Sequence, residues 1–306
     1  MTRVAGIDCG TNSIRLLVAD LDPATGDLVE LDRRMTIVRL GQGVDKTGRL
    51  APEALERTFA ACRAYAEVLT EFGVGPDRLR FVATSASRDA ENREEFVNGV
   101  VEILGVEPEV ITGDQEAEFS FTGATGELHG DDLRLVVDIG GGSTEFVVGN
   151  RHVEAARSVD IGCVRLTERH VRHDPPTAEE AEAIRADVRA ALDLAAETVP
   201  ITSAETLVGL AGSVTTVAAI ALGLPAYDST KIHHARISAA QVAEVADRLL
   251  ASTHDERAAI PVIHPGRVDV IIAGALVLRE IVERVGASEV VVSEHDILDG
   301  IALSVA

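Results

Sequence analysis

Two stretches of the chain repeat one another in register. Residues 4–18 read VAGIDCGTNSIRLLV and residues 135–148 read LVVDIGGGSTEFVV. With Asp8 set on Asp138, Gly10 falls on Gly140 and Ser13 on Ser143, and an apolar run enters and leaves each stretch. Turn chemistry accounts for each stretch alone, because glycine tolerates positive φ and aspartate favours turns. It does not account for Asp, Gly and Ser recurring at the same spacing. The repeat predicts a duplicated domain, each half opening on a hairpin, with the two loops facing one ligand in an interdomain cleft, where small-molecule sites are common.

The hydrophobic pattern supports an α/β chain throughout. Val4–Ile7, Ile14–Val18 and Met35–Leu40 read as successive strands, and Pro52 opens a helix to Phe72. Leu79–Ala83 reads as a strand, Glu94–Leu104 as a helix, Val110–Thr112 as a strand and Glu116–Gly126 as a helix. The polar patch at His129–Asp132 marks the boundary, which divides the chain into domains at 1–128 and 129–306, with a last helix at about 296–306 packing back on the first domain. Leu135–Ile139, Phe146–Val148 and Val153–Val159 then repeat the three-strand opening. Helices follow over Thr177–Thr198, Ser213–Leu222, Ser238–Leu250 and Arg267–Val285, with strands at Thr206–Leu210 and Glu289–Val292.

Composition narrows the function. The 306 residues are 46% hydrophobic and 25% charged, values of a soluble globular protein. The first residues lack the basic region, apolar segment and cleavage site of a signal peptide, and no apolar run reaches about 18 residues. We therefore expect a cytoplasmic protein that meets no membrane. A net charge of −22 argues against nucleic acid as a partner. It also means that an anionic substrate must be held by local arginines, backbone amides and a metal, against the field of the whole molecule. Cys9, Cys62 and Cys163 form neither a zinc-type pair nor a disulfide framework, and Cys9 has no histidine nearby in sequence to activate it.

The loop residues suit phosphate. Gly140, Gly141, Gly142 and Ser143 offer backbone N–H donors, as do Gly10 through Ser13, and Thr11, Asn12, Ser13, Ser143 and Thr144 add side-chain donors. Asp138 and Glu145 flank the second loop seven residues apart, and a tight hairpin brings both to one side of it. Hard oxygen ligands in pairs suit Mg²⁺, with Mn²⁺ as its substitute. The plain alternative for Glu145 is an exposed strand residue. Glu116 opens a helix, where any carboxylate gains from the helix dipole.

At this point the chain resembles the Ppx/GppA family of exopolyphosphatases and guanosine pentaphosphate phosphatases. The resemblance rests on GIDCGTNSIRLL, VATSASRDAENREEF (82–96), ITGDQEAEFSF (111–121), VVDIGGGSTEF, IGCVRLTE (161–168) and GLAGSVTTVA (209–218), in the family's order along nearly the whole chain. It implies the fold of the actin, sugar-kinase and Hsp70 ATPase superfold: two RNase H-like domains. The longer family members carry further C-terminal helical domains, so this chain resembles the short, two-domain form.

The resemblance also implies roles. The family's catalytic glutamate falls on Glu116, the second glutamate of its G-x-E-E-A motif, while the first is Gln115 here. Its phosphate-clamping arginine falls on Arg88, with Asn92 supporting the loop, and its acidic residues at Asp138 and Glu145 hold metal or water, with Asp8 a third contributor. Arg165 and Arg267 read as structural, and His233 and His234 as surface or loop residues. The expected activity is release of terminal phosphate from inorganic polyphosphate, with guanosine pentaphosphate as the alternative substrate. An ATPase, a kinase or a nucleotide-sensing relative of actin is the rival from the same superfold. A homodimer is expected from the general frequency of twofold oligomers.

Overall fold

The structure, a computed structural model, describes residues 1–128 and 130–305. His129, where the sequence puts the domain boundary, and Ala306 lie outside the described residues. The chain divides into two compact units, residues 1–123 with 297–306 and residues 124–296. Among the described residues no helix is long and apolar enough to cross a membrane.

The first unit opens with β1 (Thr2–Cys9), β2 (Ser13–Leu21) and β3 (Leu28–Ile37), an antiparallel meander. A short α1 (Val44–Thr47) precedes α2 (Pro52–Glu71), which proline starts from the first turn. Then come β4 (Leu79–Ala83), α3 (Ser85–Asp89), α4 (Arg93–Leu104), β5 (Glu109–Val110) and α5 (Gly113–Thr125). The sheet order is β3-β2-β1-β4-β5, with β1, β4 and β5 parallel. Ala5, Ile7, Cys9, Ile14, Leu16 and Val18 form one apolar face, which shares a core with Leu55, Tyr65 and Leu69 of α2 and with Phe96 and Val100 of α4.

The strand expected at Met35–Leu40 instead lies at Leu28–Ile37. No residue of β3 is buried, and Val29 and Leu31 lie exposed, so the strand has no buried face to mark it. Val38 and Leu40 are buried beyond its end, and the amides of Val38 and Arg39 turn to the Asn12 carbonyl at 3.1 and 2.9 Å.

The second unit repeats the plan. β6 (Arg134–Ile139), β7 (Thr144–Gly149) and β8 (Val153–Val159) form its meander, followed by α6 (Cys163–His170) and α7 (Ala178–Ala196). Next are β9 (Thr206–Leu210), α8 (Ala211–Ala221), α9 (Ser229–Ile232), β10 (Arg236–Ser238), α10 (Ala239–Ala251), α11 (His254–Ala258), α12 (Ile271–Val285) and β11 (Glu289–Val292). The order is β10-β11-β9-β6-β7-β8, with β6, β9 and β11 parallel. α12 is central to this unit's core: its residues from Ile271 to Leu278 are all buried, and its charged residues begin at Arg279.

The chain then returns to the first unit as α13 (Ile297–Leu303), on the sheet face opposite α2. Leu298 and Ala302 meet Leu17 and Ala19, and Ile297 and Ile301 meet Val82 and Ile111. Gly6 makes room, since a Cβ there would lie 3.1 Å from Ile301 and 3.2 Å from the Ala302 nitrogen. Arg33 of β3 pairs with Asp299 at 2.5 Å.

Candidate active site

The two hairpins superimpose residue for residue in their pairing. Asp8 faces Arg15 and Cys9 faces Ile14, just as Asp138 faces Glu145 and Ile139 faces Thr144. Each loop closes with the same hydrogen bond, Gly10 N–H to the Ser13 carbonyl at 3.0 Å and Gly140 N–H to the Ser143 carbonyl at 3.1 Å.

In the second unit the loop is held from one side. The amides of Cys163 and Val164 donate to the carbonyls of Gly140 (3.0 Å) and Gly141 (2.9 Å). The Arg165 amide also reaches Gly141, and its Nε donates to the Gly142 carbonyl at 2.7 Å. A planar peptide points its N–H opposite its C=O. With the carbonyls of residues 140, 141 and 142 turned into α6, the amides of Gly141, Gly142 and Ser143 point away from it, a concave row of donors suited to an anion. Gly162 permits this docking, because a Cβ there would lie 2.4 Å from the Gly141 carbonyl carbon and oxygen. Arg165 thus has the structural place expected of it, and α6, which the periodicity reading missed, is what orients the loop.

Beside that loop, Asp138 (6% exposed) and Glu145 (1% exposed) stand directly opposite on paired strands. Glu145 Oε1 accepts from Ser158 Oγ at 2.7 Å. Like charges placed opposite one another destabilise a sheet, so this is a position that a cation relieves. Two buried carboxylates are also the hard oxygen donors that Mg²⁺ takes, so the residues present fit that ion.

In the first unit the same framework carries an ion pair instead. Arg15 Nε and Nη2 both donate to Asp8 Oδ2, at 3.0 and 2.6 Å. The sequence reading passed over Arg15, although the internal repeat places it on Glu145. The Thr11 and Asn12 carbonyls accept from Gly41 and from Val38 and Arg39, which turns the amides of Asn12 and Ser13 the other way. Asn12 Oδ1 is buried with no hydrogen-bond partner among the described residues, an acceptor that an incoming donor satisfies. Thr11 Oγ1 lies 2.9 Å from Ser85 Oγ, which sets this loop beside α3, the helix that carries Arg88.

Arg88 Nη1 donates to the Ile111 carbonyl at 3.0 Å and to Glu116 Oε2 at 3.3 Å, so the structure brings these two predicted residues together. Glu116 is buried in the first turn of α5. Gln115, where the family motif has glutamate, joins Thr112 in a reciprocal cap: Thr112 N–H donates to Gln115 Oε1 at 3.0 Å, and Gln115 N–H to Thr112 Oγ1 at 3.3 Å. A glutamine serves this capping box as glutamate does. Glu118 is exposed. Asn92 binds both backbone groups of Leu50, at 2.8 and 3.1 Å, and so fastens the segment before α2.

Two further features border the second loop. Ala211, at the start of α8, has φ 67, a strained value for a residue with a Cβ. The Arg267 guanidinium covers Gly212, where a Cβ would lie 2.1 Å from Cζ. Burial pushes the thiols of Cys9 and Cys163 up, the reverse of what a nucleophile needs.

The model of the Ppx/GppA phosphatase family matches residues 17–306. Exopolyphosphatase 2 of Mycobacterium tuberculosis is 52% identical over 318 aligned residues, covering 100% of this chain and 99% of that one. A solved exopolyphosphatase-like protein is 46% identical with a TM-score of 0.94, covering 99% of this chain and 98% of its own. The Aquifex aeolicus PPX-GPPA enzyme is 33% identical with a TM-score of 0.82, covering 99% of each chain. The doubled strand plan is shared with that enzyme over nearly its whole length. From the repeated hairpins through the full-length matches, the chain belongs to the Ppx/GppA phosphatase family.

Proposed function

We propose that this protein is an exopolyphosphatase, which hydrolyses the terminal phosphoanhydride of inorganic polyphosphate. The observation that carries the reading is the second hairpin: a row of amides facing away from α6, beside a buried pair of carboxylates. The full-length similarity to a protein named exopolyphosphatase supports it.

In this reading water attacks the end phosphorus in line with the bridging oxygen. The new P–O bond forms as the bridging P–O bond breaks, Glu116 Oε takes the water's proton, and the shortened chain leaves with the bond's electron pair. Arg88 holds non-bridging oxygens of the end phosphate, where its fork matches phosphate geometry. The amides of Gly141, Gly142 and Ser143 donate to the charge that grows on the transferring group. Asp138 and Glu145 would hold Mg²⁺, which supplies charge neutralisation on phosphate oxygens. Asp8, whose Oδ2 accepts from Arg15, would be a third contributor as the family resemblance implies.

The test is phosphate release with Mg²⁺ from short polyphosphate, long polyphosphate and guanosine pentaphosphate, for the native chain and Glu116→Gln. Release from polyphosphate, falling in the mutant by about 10²–10⁴-fold, is expected of a lost general base. Release from guanosine pentaphosphate alone would replace the substrate and keep the chemistry. No release from any of them would overturn the hydrolase reading, and ATP turnover would then favour the superfold rival.

A further inference from the structure

Away from the hairpin loops, the second unit gathers three histidines and a carboxylate from three remote segments. Glu127 follows α5, His233 and His234 follow α9, and His295 follows β11. The His233 and His234 rings stack at 3.7 Å with 29° between their planes, and the His295 ring lies 4.4 Å from His233. His233 Nε2 is 3.1 Å from Glu127 Oε2, and His295 Nδ1 is 3.8 Å from Glu127 Oε1. A carboxylate oxygen of Glu127 and one ring nitrogen each from His233 and His234 all lie within 4.8 Å of one another.

A hydrogen-bonded structural cluster explains part of this arrangement. The Glu294 amide donates to His233 Nδ1 at 3.2 Å, so the neutral ring carries its proton on Nε2 and gives it to Glu127. His234 is what the structural reading leaves unexplained. Its Nε2 is shielded from solvent and makes no hydrogen bond among the described residues. Its backbone has φ 60, held by its amide's 2.7 Å bond to the Val292 carbonyl. A left-handed backbone and an unsatisfied ring nitrogen are both costly, and both aim one imidazole at the same place as Glu127 and His233.

We propose that Glu127, His233 and His234 form a site for a borderline divalent cation, Zn²⁺ or its analogues Co²⁺ and Ni²⁺, separate from the Asp138–Glu145 carboxylates. Two imidazoles and one carboxylate are a zinc-type donor set, whereas Mg²⁺ prefers oxygen alone. The Glu127 side chain is 59% exposed, which leaves an entry path, and His295 or water completes the coordination. Ligation through His233 Nε2 moves that ring's proton to Nδ1. The Glu294 peptide must then turn away, so loading the site reshapes the bend at 293–296.

The test uses the full chain in excess Mg²⁺, which fills the hard oxygen sites, titrated with Zn²⁺ against a chromophoric chelator and with Co²⁺ by visible absorption. One Zn²⁺ per chain is expected, displacing a Co²⁺ whose intense absorption marks four-coordinate ligation. His234→Asn, which tolerates the left-handed backbone, and Glu127→Gln should each weaken binding at least about tenfold, the smallest loss seen even for outer-shell partners. His152→Ala, an exposed histidine elsewhere in the unit, should leave affinity unchanged. Absence of stoichiometric Zn²⁺ binding by the native chain would overturn the proposal. So would unchanged affinity in both ligand variants when circular dichroism shows them folded.

Discussion

Asp138 and Glu145 stand opposite one another on paired strands, while Asp8 and Arg15 form an ion pair at the equivalent positions. Like charges opposed across a strand pair disfavour a sheet, so the metal assignment predicts a cost visible without metal. Glu145→Gln, which keeps an acceptor for Ser158, is expected to raise the metal-free thermal midpoint. An opposed pair is worth up to about 1 kcal/mol, or about 2–4 °C for a chain of this size. The same change should raise the Mg²⁺ concentration for half-maximal phosphate release about 10–100-fold, in the range of losses from disturbed metal sites. A midpoint and a Mg²⁺ requirement both equal to the native chain's would refute the metal assignment.

Cysteine and tyrosine make a second argument at this scale. Burial lifts the Cys62 thiol to about 12 and the Tyr65 phenol to about 12. Unfolded, the two titrate near 8.5 and 10. A raised pKa means that the unfolded state loses its proton first. The stability these groups contribute is whole below their unfolded values and is lost as pH rises towards 12. Urea midpoints should thus fall between about pH 9 and 11, and Tyr65→Phe should flatten the upper part of that fall. At pH 8 the native chain should resist iodoacetamide at all three buried cysteines, which denaturant then exposes.

Among the elements, α6 decides how the phosphate loop is presented. Its first amides take the loop carbonyls, and Gly162 lets it come close enough to do so. Gly162→Ala would press a methyl group onto the rigid backbone of Gly141. We expect a stability loss of about 1–3 kcal/mol from overpacking. A fall of about 10²-fold in kcat/KM should follow, the scale of a 1 Å misplacement of a reacting group. An active, equally stable variant would mean that the loop does not depend on this contact. Neither this helix nor β3 was legible in the hydrophobic pattern. In α6 the residues CVRLTERH are too few for a period to stand out, and β3 buries none of its residues. The hairpins were legible because turn chemistry and strand alternation are local.

For the molecule as a whole, chain order and spatial order differ. The second unit is one continuous segment with its own apolar core, whereas the first needs α13 to cover Leu17, Ala19 and Val82. Residues 124–296 expressed alone should give a cooperative thermal transition by circular dichroism. Residues 1–123 alone should not, and should regain one when residues 297–306 are supplied in trans or by fusion. A cooperative transition in 1–123 by itself would show that its principal core suffices. By itself the sequence determined the α/β class, the doubled hairpin and the pairing of Asp138 with Glu145, all consequences of periodicity and turn chemistry acting over a few residues. Only the tertiary structure decided that Arg88 rests on Glu116 and that Glu127 meets a histidine 106 residues away. Such contacts depend on where the packed sheets and helices bring distant side chains, and local spacing carries no record of that.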